Sequence, residues 1–96
     1  MPQYIILFNF THQGIRNVKD TIKRAEVFKS AAEKLGGKVI SFWYTLGRYD
    51  IVSTVEAPND EAIASLLLAT GSLGNVRSET LRAFPISEAG KIIEKL

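Results

Sequence analysis

The sequence predicts an α+β fold of the ferredoxin-like type, in which helices cover one face of a four-stranded antiparallel sheet. Three observations predict it. Strand-like runs and helical stripes alternate in the order β-α-β-β-α-β. A short loop with a central glycine separates the two middle strands, which is typical of a hairpin. Each long helix carries one apolar stripe that needs cover. The sheet order is then 4-1-3-2, and a short helix follows the last strand.

The composition limits the classes of function. The chain has 96 residues, of which 46% are hydrophobic and 23% charged, and this predicts one globular domain spanning residues 1–96. It has no cysteine and a single histidine, His12. Disulfides, thiol catalysis and a multi-histidine metal site within one chain are therefore excluded. We expect no metal site and no cofactor.

Charge and hydropathy argue against nucleic-acid and membrane partners. The net charge is +2, and the basic residues are scattered among acidic ones, which indicates a solvated surface. Arg48–Val52 lacks the basic-glycine-aromatic pattern of an RNA-recognition strand, and Gly71–Gly74 lacks the lysine of a phosphate-binding loop. No apolar run approaches the roughly 20 residues of a membrane span, and the start lacks a signal leader. The sequence predicts a cytoplasmic protein.

Hydrophobic spacing predicts the first strand and the first helix. Tyr4–Phe10 is a nearly continuous apolar run, which is typical of a central strand buried on both faces. After Thr11–Gly14, apolar residues recur every three or four positions until Gly36-Gly37, where a left-handed glycine can end the helix. We expect a break in this helix near Asp20.

The segment Lys38–Glu56 predicts a β-hairpin. Gly47, at the first central position, suits a two-residue type II′ turn. The register set by this turn places Tyr49 on the helix side of the sheet and pairs Thr45 with Asp50 on the opposite face. The same register places an apolar set on that opposite face, which helices leave uncovered: Val39, Trp43 and Val52, with Ile5 and Leu7 of the first strand.

The rest of the chain predicts a helix, an edge strand and a terminal helix. Asn59 is expected to cap the helix, with two acidic residues in its first turn. Val76–Phe84 reads as the last strand, and its charges are typical of a sheet edge. Ser87 is expected to cap the short C-terminal helix.

The uncovered face leads to the main functional hypothesis. An apolar patch around Trp43 is unusual on a monomer and indicates an interface or a ligand groove. We expect two copies to pack these faces together as a homodimer, enclosing a mostly apolar cleft that binds a small organic ligand. The alternative is that the C-terminal helix folds over this face.

The topology gathers polar candidates at one end of the sheet. Asp50 is a candidate general base, or its carboxylate fixes the hairpin. His12 is a candidate acid–base group, or it is a surface or capping residue of the loop that follows the first strand. Trp43 can stack on a planar ligand or belong to the dimer core, and Arg48 and Arg77 can hold an anion. The candidate ligand contacts are Asn9, Trp43, Thr45, Arg48 and Arg77.

Several separate segments resemble the GYD domain family. They are Tyr4–Phe10 followed by Thr11–Ile15, then Thr45–Val52, Glu56–Pro58 and Leu73–Phe84. The Gly-Tyr-Asp of the family name is matched by Gly47, Tyr49 and Asp50, with Arg48 standing between the first two. The resemblance implies a dimeric α/β-barrel, akin in fold to small monooxygenases and muconolactone isomerase-like enzymes. It implies no agreed catalytic residues.

Three functions stay open at this point. The first is binding of a small organic molecule in the cleft between the sheets. The second is a cofactor-independent isomerase or monooxygenase-like enzyme, with Asp50 as base and His12, Asn9 or Arg77 as orienting groups. The third is a structural association module.

Overall fold

The computed structural model describes the whole chain, Met1–Leu96, as one four-stranded sheet and four helices. The strands are β1 (Gln3–Phe10), β2 (Lys38–Tyr44), β3 (Ile51–Glu56) and β4 (Val76–Ala83). The helices are α1 (His12–Arg16), α2 (Thr21–Lys34), α3 (Asp60–Ser72) and α4 (Ile86–Ile93), with a 3-10 turn at Val18–Asp20. The sheet order is β2-β3-β1-β4, and all neighbours are antiparallel. The predicted α+β ferredoxin-like fold and strand order are confirmed.

The core lies between the sheet and the helices α2 and α3. Tyr4, Ile6 and Phe8 of β1 are buried on this side, because alternate side chains of a strand share a face. The rings of Phe8 and Phe28 meet edge to face with centroids 5.5 Å apart. Other strands, helices and loops complete the buried set: Phe28, Ala32, Ile51, Val55, Ala57, Ile63 and Leu66. One face of the sheet is thereby sheltered from water.

The opposite face is called the open face below, since no helix packs on it. Cross-strand pairing arranges its side chains in rows. One row contains Trp43, Val52, Leu7 and Glu79. The next contains Ser41, Thr54, Ile5 and Leu81. Trp43 is 64% exposed, and Leu81 is exposed as well. The open face therefore presents apolar side chains to solvent in the single chain.

Side-chain caps set the helix boundaries. Thr11 Oγ1 accepts a hydrogen bond from Gly14 N at 3.0 Å at the start of α1. Asn59 Oδ1 accepts one from Ala62 N at 2.9 Å at the start of α3, as the sequence predicts. The 3-10 turn separates α1 from α2, so the expected helix break near Asp20 is present.

The tip of the β2–β3 hairpin is wider than predicted. Thr45 N donates to Asp50 O at 2.9 Å, and no backbone hydrogen bond joins the strands beyond this pair. Four residues, 46–49, therefore form the tip, so the prediction of a two-residue turn is wrong. Gly47 has a φ of +105°, in the left-handed region that favours glycine. The glycine is required, but the turn type differs.

A β-bulge changes the register at the far end of the same hairpin. The pairing shifts between Val39 and Ser41, so that Val39 lies opposite Val55 and packs against the core. Ile40 is the extra residue, and it is 47% exposed. The prediction that Val39 lies on the open face is wrong, because one inserted residue exchanges the two faces of a strand.

β4 is an edge strand, as its charges predict, and α4 follows it without covering the sheet. Pro85 is the N-cap residue of α4 and no side chain caps the helix, so the expected cap at Ser87 is wrong. No residue of α4 is buried, and Ile86 is 92% exposed. The alternative in which the C-terminal helix shelters Trp43 is therefore wrong for the single chain. None of the helices combines the length and apolar character needed to cross a membrane.

Candidate functional site

The rim is the end of the sheet where β1 ends and β3 and β4 begin. Asp50 is half-buried there, and its Oδ2 accepts a hydrogen bond from Phe10 N at 2.9 Å. The backbone N–H of Asp50 donates to Phe8 O at 2.9 Å. The residue thus joins β1 and β3 beyond their last regular pair. A carboxylate that accepts a backbone N–H is tied to the fold, whatever else it contacts.

Asn9 connects the rim to the hairpin tip. Its Nδ2 donates to Arg48 O at 2.7 Å. Arg77 lies directly opposite Asn9 across β1 and β4. Both arginine side chains are exposed, and neither has a carboxylate within 4.0 Å. The rim therefore carries two positive charges without a paired acid.

Thr45 closes the base of the hairpin tip. Its Oγ1 donates to Tyr49 O at 2.6 Å, in addition to the backbone bond from Thr45 N to Asp50 O. The predicted pairing of Thr45 with Asp50 is present, through the backbone. The hydroxyl is consequently engaged within the loop.

Tyr49 lies on the open face, so its predicted position on the helix side is wrong. Its hydroxyl donates to Glu79 Oε1 at 3.3 Å. Glu79 is on β4, opposite Leu7 of β1, in the row that contains Trp43. Since β1 lies between β3 and β4, the Tyr49 side chain reaches across the end of β1. The four-residue tip breaks the simple alternation on which the prediction depended.

His12 makes no hydrogen bond to Asp50, the other catalytic candidate. It is the exposed first residue of α1, and its Nε2 is 2.8 Å from Arg16 Nη2, which donates to it. No hydrogen bond joins His12 to Asp50, Asn9 or Arg77 in the chain. The structure therefore gathers Asp50, Asn9 and the hairpin tip at the rim but does not bring them into a hydrogen-bonded acid–base pair with His12.

Trp43 lies on the edge strand β2 and belongs to the open face. It is paired with Val52 of β3, and that strand separates it from Asn9 on β1 and from Arg77 on β4. It has no hydrogen bond or aromatic partner in the chain. Its position suits a contact with a second surface better than a contact with the rim groups.

A cavity of about 590 Å³ lies on the other side of the sheet, between α2 and α3. Its floor is formed by Phe8, Phe28, Phe42 and Ile51, and other residues of α2 and α3 form its walls. Sequence reasoning missed it, because the helical stripes predict which residues face the sheet but not how far apart the helices stand. A signal in the sequence is the small size of Ala25 and Ala31 on α2, because small side chains leave space between the helix and its neighbours.

Comparison with known proteins places this chain in a family. A model of the GYD domain matches residues 4–93. The chain belongs to the GYD domain family. It is 33% identical over 89 residues to the glutamine synthetase and cystathionine beta-lyase binding protein of Thermus thermophilus. That match covers 92% of this GYD chain and 94% of the relative.

Two solved structures share the fold of this GYD chain. The crystal structure of MtbAldR aligns with a TM-score of 0.68 at 14% identity, over 88% of this chain and 52% of that one. The chain thus spans about half the length of MtbAldR. The crystal structure of TTHA0845 from Thermus thermophilus aligns with a TM-score of 0.57 at 24% identity, over 88% and 95% of the two chains. At these identities the likeness concerns the fold alone.

Proposed function

We propose that this chain is a cytoplasmic, single-domain binding protein that forms a homodimer through its open face. The observation that carries the proposal is the 64% exposure of Trp43 in a row with Val52 and Leu7. A large aromatic residue beside aliphatic neighbours is typical of the buried centre of an interface. Packing two open faces about a twofold axis buries both tryptophans at once.

The energetics of the open face are compatible with a dimer. Burying about 500 Å² of apolar surface favours association by about 12 kcal/mol at about 25 cal/mol per Å². The entropic cost of association is about 4–15 kcal/mol. The free energy gained by burying the open face alone is therefore close to the cost of association, and a tight dimer needs a further contact.

The exposed helix α4 is the natural source of that further contact. Its apolar residues face solvent in the single chain, and they include Ile86, Ile92 and Ile93. An amphipathic helix without a partner in its own chain can pack on a second copy. Reciprocal packing of α4 adds apolar area on both sides of the twofold axis.

The proposed dimer encloses a cleft that binds a small organic ligand. Asn9 and Glu79 lie on the open face of their strands, and the Tyr49 hydroxyl reaches Glu79 there. Apolar walls with a few polar groups are typical of small-molecule sites. The rim arginines, Arg48 and Arg77, favour a ligand with negative charge at that end.

Mass and tryptophan fluorescence test the dimer directly. Light scattering on a size-exclusion column should give twice the 10.6 kDa mass of one chain. Trp43 is the single tryptophan, so its emission should shift to longer wavelength as dilution dissociates the dimer.

Trp43→Ser should yield a monomer. Leu68→Ser, at an exposed leucine of α3 outside the open face, is the matched control and should remain dimeric. A wild-type mass of 10.6 kDa at high concentration contradicts the proposal.

Binding to an enzyme partner is a second candidate function. It is favoured by the relative from Thermus thermophilus, whose name describes binding of glutamine synthetase and cystathionine beta-lyase. We propose that this chain likewise binds a metabolic enzyme. Purified glutamine synthetase and cystathionine beta-lyase, titrated separately with the chain in a calorimeter, test this. Absence of heat and of co-elution with both enzymes contradicts it for these two partners.

A further inference from the structure

The cavity between α2 and α3 has the size and lining of a small-molecule site. Its volume of about 590 Å³ lies within the range of about 300–1,000 Å³ that such sites occupy. The aromatic floor of Phe8, Phe28 and Phe42 lies at its base, with ring centroids 5.5 to 6.5 Å apart. Ala69 and Val76 extend the apolar lining on the α3 side. Such a surface favours a flat or branched hydrocarbon group.

The lining of this cavity contains two positively charged residues, Arg24 and Lys23. Arg24 is half-buried, and its Nη1 and Nη2 donate to Asn17 O at 2.9 Å and to Gly14 O at 3.2 Å. These carbonyls fix the guanidinium but do not neutralise it, and no carboxylate lies within 4.0 Å of it. Lys23 also lines the cavity and makes no ion pair or hydrogen bond. Asp20 is the one acidic residue of the lining, so the balance is positive.

We propose that this cavity binds a small carboxylate with an apolar body, such as an arylalkanoic acid, with the carboxylate on Arg24 and the body on the aromatic floor. A guanidinium held in place by backbone carbonyls is preorganised, so little side-chain entropy is lost when a carboxylate binds it. Lys23 adds attraction without a fixed geometry. The site lies on the helix side of the sheet and is distinct from the cleft proposed between two open faces.

Calorimetric titration with 3-phenylpropanoate and with 3-phenylpropan-1-ol tests the proposal on the full chain. The two compounds share the apolar body and differ in the charge. The acid should bind saturably, and the alcohol should bind at least about tenfold more weakly, as the loss of a charge-assisted hydrogen bond implies. Absence of saturable binding of the acid overturns the proposal. Equal affinities for the two compounds overturn the role of Arg24.

Two pairs of variants locate the ligand. Arg24→Gln should weaken binding of the acid by at least about tenfold, whereas Arg16→Gln, at an exposed arginine outside the cavity, should leave it unchanged. Ala69→Phe places a ring in the cavity and should abolish binding. Ala64→Phe, on an exposed part of α3 outside the cavity, should not.

The variants also separate this site from the cleft of the proposed dimer. Binding that persists in Ala69→Phe and is lost in Trp43→Ser places the ligand on the open face and overturns the assignment to the cavity. Lys23→Gln controls for misfolding, since Lys23 makes no ion pair or hydrogen bond within the chain. This variant should bind the acid more weakly than wild type and bind the alcohol with unchanged affinity. The mass of the protein reports the dimer independently of these titrations.

Discussion

Phe10 donates its backbone N–H to the carboxylate Oδ2 of Asp50 at 2.9 Å, across the point where β1 and β3 separate. Regular pairing between β1 and β3 ends at Phe8 and Ile51, so the Asp50 side chain, and not a backbone carbonyl of β3, accepts the hydrogen bond from Phe10 N. A structural role for Asp50 follows from this geometry. The sequence left two roles open for Asp50: fixing the β2–β3 hairpin and acting as a general base. The carboxylate bonds to β1 and not to the turn or to Thr45, so the structural role is to join β1 to the start of β3, and the role of general base stays a prediction.

Asp50→Ala should destabilise the chain by about 1–3 kcal/mol, because Phe10 N loses its acceptor in a partly buried place. Asp50→Asn should cost less, since its amide oxygen can accept the same bond. Urea unfolding of the two variants measures the difference. Equal stability of wild type and Asp50→Ala contradicts the structural role, and a turnover that disappears in a fully stable Asp50→Asn supports a catalytic one.

Stability should fall at high pH because of Tyr4. Burial, a hydrogen bond to Asp60 Oδ1 at 2.5 Å and the charge of that carboxylate raise the pKa of Tyr4 to about 12, against 10.0 for a free tyrosine. Between these values the unfolded chain loses the phenolic proton while the folded chain keeps it. Folding therefore becomes less favourable as the pH rises from about 10 to about 12, by up to about 3 kcal/mol. Urea unfolding across this range measures the loss.

Tyr4→Phe is the control for the pH dependence. It lacks the phenolic proton, so the fall in its unfolding free energy between pH 10 and 12 should be smaller than in wild type by the contribution of Tyr4. Parallel curves for the two proteins contradict the assignment to this residue.

Long, regular patterns in the sequence predicted the fold, but they did not predict the local irregularities of the β2–β3 hairpin. The apolar run of β1 and the stripes of α2 and α3 extend over many residues, so one exception does not change the prediction. The side of a hairpin residue depends on every residue between it and the turn. One extra residue at Ile40 and two at the tip were enough to misplace Val39 and Tyr49.

Of the two candidate sites, the rim was predicted from the sequence and the cavity was not. Topology alone predicted that Asn9, Asp50 and Arg77 gather at the rim, because antiparallel order decides which strand ends meet. The cavity beside Arg24 was not predicted, since the separation of two helices depends on the sum of many packing contacts.

Ser53 is a buried polar residue whose hydroxyl bonds to β2 beside the bulge. It is fully buried in the core strand β3, where Ile51 and Val55 flank it on the same face. Its hydroxyl donates to Ser41 O at 2.6 Å, next to the bulge. Ser53→Ala leaves that carbonyl without this donor and should cost about 1–3 kcal/mol in urea unfolding. Thr80→Ala, on exposed β4, should change stability by less than about 0.5 kcal/mol. A Ser53→Ala variant as stable as wild type contradicts a role for this bond.

Gly14 and Gly71 should respond in opposite directions to replacement by alanine. A Cβ on Gly14 would collide with the backbone oxygen of Asn75, so α1 would have to move away from the turn before β4. Gly14→Ala should therefore destabilise the chain by about 3 kcal/mol. A Cβ on Gly71, near the end of α3, meets no atom within 4 Å, and Gly71→Ala should stabilise by about 0.5–1 kcal/mol through helix propensity. Thermal unfolding of both variants measures the contrast, and an equally stable Gly14→Ala contradicts the close approach of α1 to Asn75.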